Sequence, residues 1–215
     1  MTTETLPSTT ITGAEARRAA RNASAIAAAS ILSKGLQFGW QLMLASALGP
    51  ALYGVYGTVA AFIMVGSAVP NFGMGPIVVR DVARYPDKAG KYLTATLFMQ
   101  TLLALLAYIG LNAAAGLGGY NEAVRAFVAI ASISLIVDII GSMCNDILLA
   151  QERMAASSVV SVGYVVLLVA LAGLGLAAGY GLFGVYVSTI IAGVVRSAAL
   201  WLLLWRGGTR PVWPF

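Results

Sequence analysis

The chain has 215 residues, of which 60% are hydrophobic and 10% are charged, and its mean hydropathy is +0.87. Soluble domains carry about 25% charged residues, so this composition excludes an ordinary soluble protein and indicates a membrane protein. With no histidine and one cysteine, Cys144, the 215 residues cannot form an internal disulfide or a metal site of cysteine and histidine ligands, and the net charge of +5 matters through its placement.

The N-terminal segment combines a polar tail with a basic, apolar helix. Residues 1–16 are rich in Thr and Ser and are predicted to form a disordered cytoplasmic tail. Arg17, Arg18 and Arg21 then precede an apolar run, 23–48, that is too long for the core of a signal peptide and has no clear cleavage site after it. We therefore interpret the run as a retained membrane helix.

Further apolar segments follow, each long enough to cross a bilayer as a helix of about 20 residues. They show no alternation of polar and apolar residues, so helices are favoured over strands. The predicted spans are 23–48, 54–79, 93–115, 123–149, 155–178 and 182–205. The predicted fold class is all-α, a polytopic six-helix membrane bundle over 17–206, and 207–215 are a cytoplasmic tail or the start of a linker.

Basic residues in the connections predict the orientation of the bundle. Ten of the 13 Lys and Arg residues lie on the side that holds both termini, and one lies near the other side. Positive charge accumulates on the cytoplasmic side, so both termini are predicted to be cytoplasmic. The basic, amphipathic connection 80–92 is predicted to lie on the inner leaflet, or to be a plain positive-inside anchor.

Three charged side chains lie within the predicted spans, where charge is costly and rarely incidental. Lys34, Asp138 and Arg196 each lie roughly 14–16 Å from the inner end of their span, so they lie near one plane. Two of them belong to polar stripes on single helix faces, which consist of Ser30, Lys34, Gln37 and Gln41 in span one, and Ser134, Asp138, Ser142 and Asn145 in span four.

Three interpretations of these charges are open. Lys34 and Asp138 could form a buried ion pair that fixes helix packing, or the charges could belong to a subunit contact. Alternatively, the stripes line a transport cavity whose net positive charge suits a phosphate-bearing or otherwise anionic substrate. In that interpretation the candidate substrate-binding residues are Lys34, Gln37, Gln41, Asp138, Asn145 and Arg196, although Arg196 could also extend to the inner interface.

Span two contains several residues that interrupt helices. Pro70, Gly73, Gly75 and Pro76 lie close together, and Pro70 is near mid-depth. Proline removes a backbone donor and bends a helix, and interrupted helices near the midplane are typical of transporter sites. Pro70, Gly73 and Gly75 are therefore the candidate hinge residues, with a static kink as the alternative.

The sequence contains no motif for catalysis. It has no Gly-rich phosphate loop, no histidine to act as a general base and no paired aspartate clusters of the kind that membrane prenyltransferases need. The chain is therefore predicted not to be an enzyme, and no catalytic residue, metal or cofactor is assigned.

Several stretches resemble one known family when they are read in order. Residues 48–57 are similar to the first outer turn of polysaccharide flippases, and 71–75 with 80–91 to the end of their second helix and its inner loop. Residues 149–154 resemble their link between helices four and five, and 181–184 the start of helix six. Together these stretches resemble the oligosaccharide flippases of the multidrug, oligosaccharidyl-lipid and polysaccharide exporter superfamily.

This resemblance implies a multi-pass exporter in a bacterial or archaeal plasma membrane that moves undecaprenyl-diphosphate-linked oligosaccharide to the outer leaflet. It implies alternating access between two six-helix lobes around a cationic cavity, in which Lys34 and Arg196 are the basic residues that could act. Because such exporters have twelve to fourteen helices, six spans correspond to an N-terminal lobe. A truncated product, a split protein and a homodimerising half are all open.

The expected partners are the lipid-linked oligosaccharide, membrane lipid and a second six-helix lobe, and nucleic acid is not expected. Two other functions are kept as alternatives. One is half of a cation-coupled multidrug exporter, with Asp138 as the coupling residue, and the other is a non-transporting membrane scaffold in an envelope-glycan complex.

Overall fold

Helices make up almost all of the part of the chain that the structure describes. The structure, a computed structural model, describes residues 13–71 and 73–209, with side chains for Ser24 and from residue 30 onward. The helices are α1 (Gly13–Asn71), α2 (Met74–Arg84), α3 (Ala89–Leu117), α4 (Glu122–Ala150), α5 (Met154–Ala177) and α6 (Gly181–Arg206), with a 3₁₀ turn at Pro86–Lys88. Of the tail predicted over 1–16, residues 1–12 lie outside the described part, and α1 begins at Gly13.

The described residues contain five helical segments that are long and apolar enough to cross a membrane, compared with the six spans predicted. They are Ser30–Arg84, Pro86–Leu117, Glu122–Ala150, Met154–Ala177 and Gly181–Arg206. The last three agree with predicted spans four to six to within about one residue, whereas Pro86–Leu117 begins seven residues before predicted span three, 93–115, because it includes the 3₁₀ turn. The difference in number lies in the first segment, which joins most of the first predicted span to the second.

The chain folds back within α1 at Gly49. This glycine has φ 67° and ψ 173°, a backbone conformation open essentially only to glycine, and it divides α1 into a first arm, 13–48, and a second arm, 50–71. The hydroxyl of Tyr53 donates to Oε1 of Gln41 at 3.1 Å, whereas a straight helix would separate these residues by about 18 Å. A single residue thus replaces the loop predicted over 49–53.

The predicted second span, 54–79, is not one continuous helix. The second arm ends at Asn71, Gly73 has a left-handed φ of 71°, and α2 starts at Met74. The prediction extended the span because 74–79 is apolar enough to continue it. Instead, α2 is amphipathic, with Val78 and Val82 buried and Arg80 and Arg84 exposed.

Helix α4 lies at the centre of the bundle, against α1, α2, α3 and α6. Glycines allow α6 to approach it closely, because a Cβ at Gly141 would lie 2.9 Å from Oγ of Ser197 and one at Gly193 would lie 3.3 Å from Val137. The Ser197 hydroxyl donates to the carbonyl of Val137 at 3.0 Å, which adds an interhelical bond at this contact.

Candidate functional site: a groove between α1 and α5

The first arm of α1, the C-terminal part of α4 and helix α5 line an open polar cavity of about 450 Å³ at one end of the contact between α1 and α5. We call it the lysine cavity, because Lys34 is the one charged side chain among the described residues that line it. Its other lining residues are Ser30, Ser33, Gln37, Asn145, Leu149, Met154, Ser157, Ser158 and Ser161. Hydroxyl and amide groups therefore surround a single cation.

A second cavity, of about 380 Å³, continues along the same two helices. We call it the aromatic cavity, and it is lined by Gln37, Phe38, Trp40, Gln41, Tyr164, Val165, Leu168 and Val169. Gln37 belongs to both cavities, so they form one groove, which we call the α1–α5 groove. Residues 30–41 extend along it for about 16 Å.

Lys34 has no counter-ion within the described part of the chain. The predicted pair of Lys34 with Asp138 is therefore not found. The hydroxyl of Ser157 on α5 donates to Oδ1 of Asn145 on α4, which ties one wall of the lysine cavity to α4.

Asp138 is paired with Arg196 instead. Nη1 of Arg196 lies 3.8 Å from Oδ1 of Asp138, and the two side chains retain 22% and 49% of their exposure, respectively. The guanidinium carbon also lies 5.4 Å from the centre of the Tyr164 ring, a distance typical of a cation–π contact. Tyr164 thus separates the ion pair from the groove.

The six predicted substrate-binding residues fall into two groups in the structure. Four line the α1–α5 groove, namely Lys34, Gln37, Gln41 and Asn145. Asp138 and Arg196 line a separate cavity of about 110 Å³, together with Ser67, Pro70, Asn71, Leu135, Ile139 and Ser142.

The candidate hinge residues also lie in different elements of the structure. Pro70 is buried within the second arm and lies at the small cavity beside the ion pair. Gly73 occupies the break before α2, and Gly75 lies in the first turn of α2, where a Cβ would be 2.9 Å from Oδ2 of Asp146. Whether any of them bends during function stays a prediction.

Comparison with known proteins identifies the family. Residues 19–212 match the model of the polysaccharide biosynthesis protein family, which covers most of the chain, including the groove. The chain belongs to this family. No curated protein and no solved structure matches it. As a member of the polysaccharide biosynthesis protein family, in the flippase superfamily, the chain is a multi-pass membrane protein of a non-enzymatic transporter family.

The chemistry of the groove agrees with a binding role in this polysaccharide biosynthesis family. Among the described residues, no group of three acidic, cysteine or histidine side chains is placed to hold a metal ion. The groove instead combines one ammonium group with hydroxyls, amides and aromatic rings, which can bind an anion and uncharged polar groups.

The sequence interpretation of this family member missed the α5 wall of the groove. Ser157, Ser161 and Tyr164 are spaced by four and three residues, the same helical stripe that identified the polar faces of spans one and four. This polar stripe on α5 was visible in the sequence, but it was overlooked because it contains no charged residue. Trp40 was missed because an aromatic residue in a membrane helix is ordinarily part of the apolar packing.

Proposed function

We propose that the chain translocates lipid-linked oligosaccharide across the inner membrane for polysaccharide biosynthesis, by alternating access, as the N-terminal half of a two-lobe transporter. The family membership supports an exporter role. The observation that carries the proposal is the lysine cavity, because a single cation among hydroxyls and amides inside an apolar bundle suits a diphosphate attached to a polar head.

The proposed mechanism assigns a part to each region. The ammonium group of Lys34 attracts the diphosphate, and the surrounding serines with Asn145 replace some of its water. The glycan lies further along the groove, while the lipid tail stays between helices in the membrane. The second arm bends near Pro70 as the lobes rock, and this movement opens the groove to the outer side.

The proposed topology has six spans with both termini in the cytoplasm. The fold-back at Gly49 supports it, because the second arm alone, 50–71, is about 33 Å long as a helix and so matches the bilayer core. A membrane-impermeant maleimide applied to intact cells tests it with a single cysteine at Ala51, in a Cys144→Ala background. Labelling from outside is expected, and labelling only after cell lysis would contradict the topology.

A second six-helix lobe is the proposed partner, as a separate chain or a second copy. In the part of the chain that the structure describes, the residues that line the groove belong to α1, α4 and α5, and both arms of α1 present exposed apolar side chains. Examples are Ile31 at 73%, Phe38 at 67% and Met64 at 75% exposure. Crosslinking of single-cysteine variants at these positions is expected to join two polypeptides in membranes.

Cation-coupled drug export receives less support from the site. In that function Asp138 would bind H⁺ or Na⁺, but Arg196 already lies beside its carboxylate. If export of a cationic drug depends on an ion gradient and Asp138→Asn removes that dependence, this alternative replaces the proposal.

Export of glycan in cells tests the main proposal. In a strain whose own copy is deleted, Lys34→Ala is expected to reduce surface glycan at least about tenfold, and Lys34→Arg to retain a substantial part, because the cation that attracts the diphosphate is lost in the first variant and kept in the second. The control is Lys91→Ala, which removes an exposed lysine at the start of α3. Full export by Lys34→Ala at normal membrane levels would favour a scaffold.

A further inference from the structure

The two ends of the α1–α5 groove differ in chemistry, and a diphosphate explains only one of them. Among the described lining residues, the one charged side chain, Lys34, lies in the lysine cavity, whereas those of the aromatic cavity are uncharged. We propose that the aromatic cavity is a saccharide subsite, which binds an uncharged sugar residue next to the diphosphate. This inference rests on the proposed function and specifies where the glycan is recognised.

Aromatic rings provide one half of such a site. Trp40, Phe38 and Tyr164 contribute to the lining, together with aliphatic side chains of α5. The C–H faces of a sugar ring are apolar and carry slight positive charge, so they pack favourably on the electron-rich face of an aromatic ring. A diphosphate, which is anionic, would gain nothing from this surface.

Two amides provide the other half. Gln37 and Gln41 each have a carbonyl acceptor and an NH₂ donor, which match sugar hydroxyls that both donate and accept. The hydroxyl of Tyr53 donates to Oε1 of Gln41 at 3.1 Å across the fold-back of α1. This bond holds the Gln41 amide in place before a ligand arrives and so lowers the entropy cost of binding.

The Asp138–Arg196 ion pair supports Tyr164, which lines the aromatic cavity. Arg196 lies against the Tyr164 ring and is paired with Asp138 on α4. Tyr164 is therefore held between the ion pair and the groove, which gives the polar pair a role without direct contact to the ligand. Asp138 and Arg196 are positioning residues in this proposal.

The spacing of the two cavities suits a ligand in which sugar and diphosphate are covalently joined. Lys34 and Gln41 are seven residues apart on one arm, about 10 Å along the helix, and Gln37 lies between them in both cavities. A diphosphate at Lys34 therefore places its first sugar beside Gln37 and Gln41.

Binding to the purified full chain in detergent micelles tests the proposal. The probes are farnesyl diphosphate, the same diphosphate carrying glucose or N-acetylglucosamine, and the two free sugars. We expect at least one sugar-bearing probe to bind about tenfold more tightly than farnesyl diphosphate. Gln41→Leu, which keeps the side-chain size at an exposed position, is expected to lower that ratio to about one.

Further variants separate this inference from the proposed function. Trp40→Leu should also lower the affinity ratio of sugar-bearing probe to farnesyl diphosphate. Because Trp40 is part of the apolar core and its loss could disturb folding, Gln41→Leu is the decisive variant. Lys34→Ala should weaken all diphosphate probes alike. The control is Phe98→Leu, an aromatic loss at a 73% exposed position on α3 outside the groove, which should leave the ratio unchanged.

Four outcomes would overturn the saccharide subsite. If farnesyl diphosphate binds through Lys34 but sugar adds no affinity, or if Gln41→Leu leaves the ratio intact, the subsite is absent and the proposed function stands. If the free sugars bind as tightly as the lipid-linked ones, the cavity serves a soluble sugar. If no diphosphate probe binds, the proposed function fails together with the subsite.

Discussion

Arg196 on α6 lies 3.8 Å from Asp138 on α4, so the carboxylate within the bundle has its counter-ion on the neighbouring helix and not on α1. The close contact of α4 and α6 through Gly141 and Gly193 makes this pairing possible. Asp138 therefore does not neutralise Lys34, which lines the α1–α5 groove with no counter-ion among the described residues and is available to an anionic ligand.

The pairing predicts which charges are energetically coupled. A double-mutant cycle of Asp138→Asn and Arg196→Gln is expected to give a coupling energy of about 0.5–1 kcal/mol, because the pair is only half buried. The matched cycle of Asp138→Asn with Lys34→Gln should give a value near zero. Denaturant unfolding in detergent measures both, and a larger coupling for Lys34 would contradict the assignment.

The fold-back of α1 predicts a glycine requirement at one position. Gly49→Ala should lower the free energy of unfolding by about 1–3 kcal/mol, because φ 67° with ψ 173° is strained for any residue with a Cβ. Gly57→Ala is the control, since Gly57 lies in the helical second arm and its Cβ would meet no atom within 4 Å. It should be neutral or stabilising, and equal losses for both variants would contradict a turn at Gly49.

Asp146 is expected to stabilise the first turn of α2. Its carboxylate lies over Gly75, near the positive end of that helix dipole. Asp146→Asn should weaken this attraction by about 0.3–1 kcal/mol and raise amide hydrogen exchange over 74–84 by about two- to fivefold. Asp87→Asn, in the exposed 3₁₀ turn, is the control, and unchanged exchange in the Asp146 variant would exclude the contact.

The link between α4 and α5 fastens the C-terminal end of α6. Nη1 of Arg153 donates to the carbonyl of Leu203 at 3.0 Å, and Nε2 of Gln151 donates to Oγ1 of Thr209 at 2.7 Å. Arg153→Gln should remove a charge-assisted bond of about 1.5–3 kcal/mol and increase amide exchange over 203–209. Arg206→Gln, at an exposed residue of the same turn, should change exchange much less, and equal effects would argue against the bond.

Local sequence patterns predicted helices α3 to α6 to within about a turn, because long apolar runs bounded by glycine, polar or aromatic residues have one stable form in a bilayer. The same patterns placed Lys34, Gln37 and Gln41 on one face of the first arm, where the structure has them lining the groove. They failed at Gly73, because apolar residues beyond this glycine continue the hydrophobic run although its backbone is left-handed.

The sequence by itself determined that this is a helical membrane protein, where most of its helices lie, and which side chains are polar within them. These properties depend on hydropathy and on helical period, which are local. Only the tertiary structure decided that Asp138 pairs with Arg196, that α5 supplies the second wall of the groove, and that α1 folds back at a single glycine. The first two depend on which helices approach each other, as where Gly141 and Gly193 bring α4 and α6 together, and the third depends on a backbone conformation that essentially only glycine adopts.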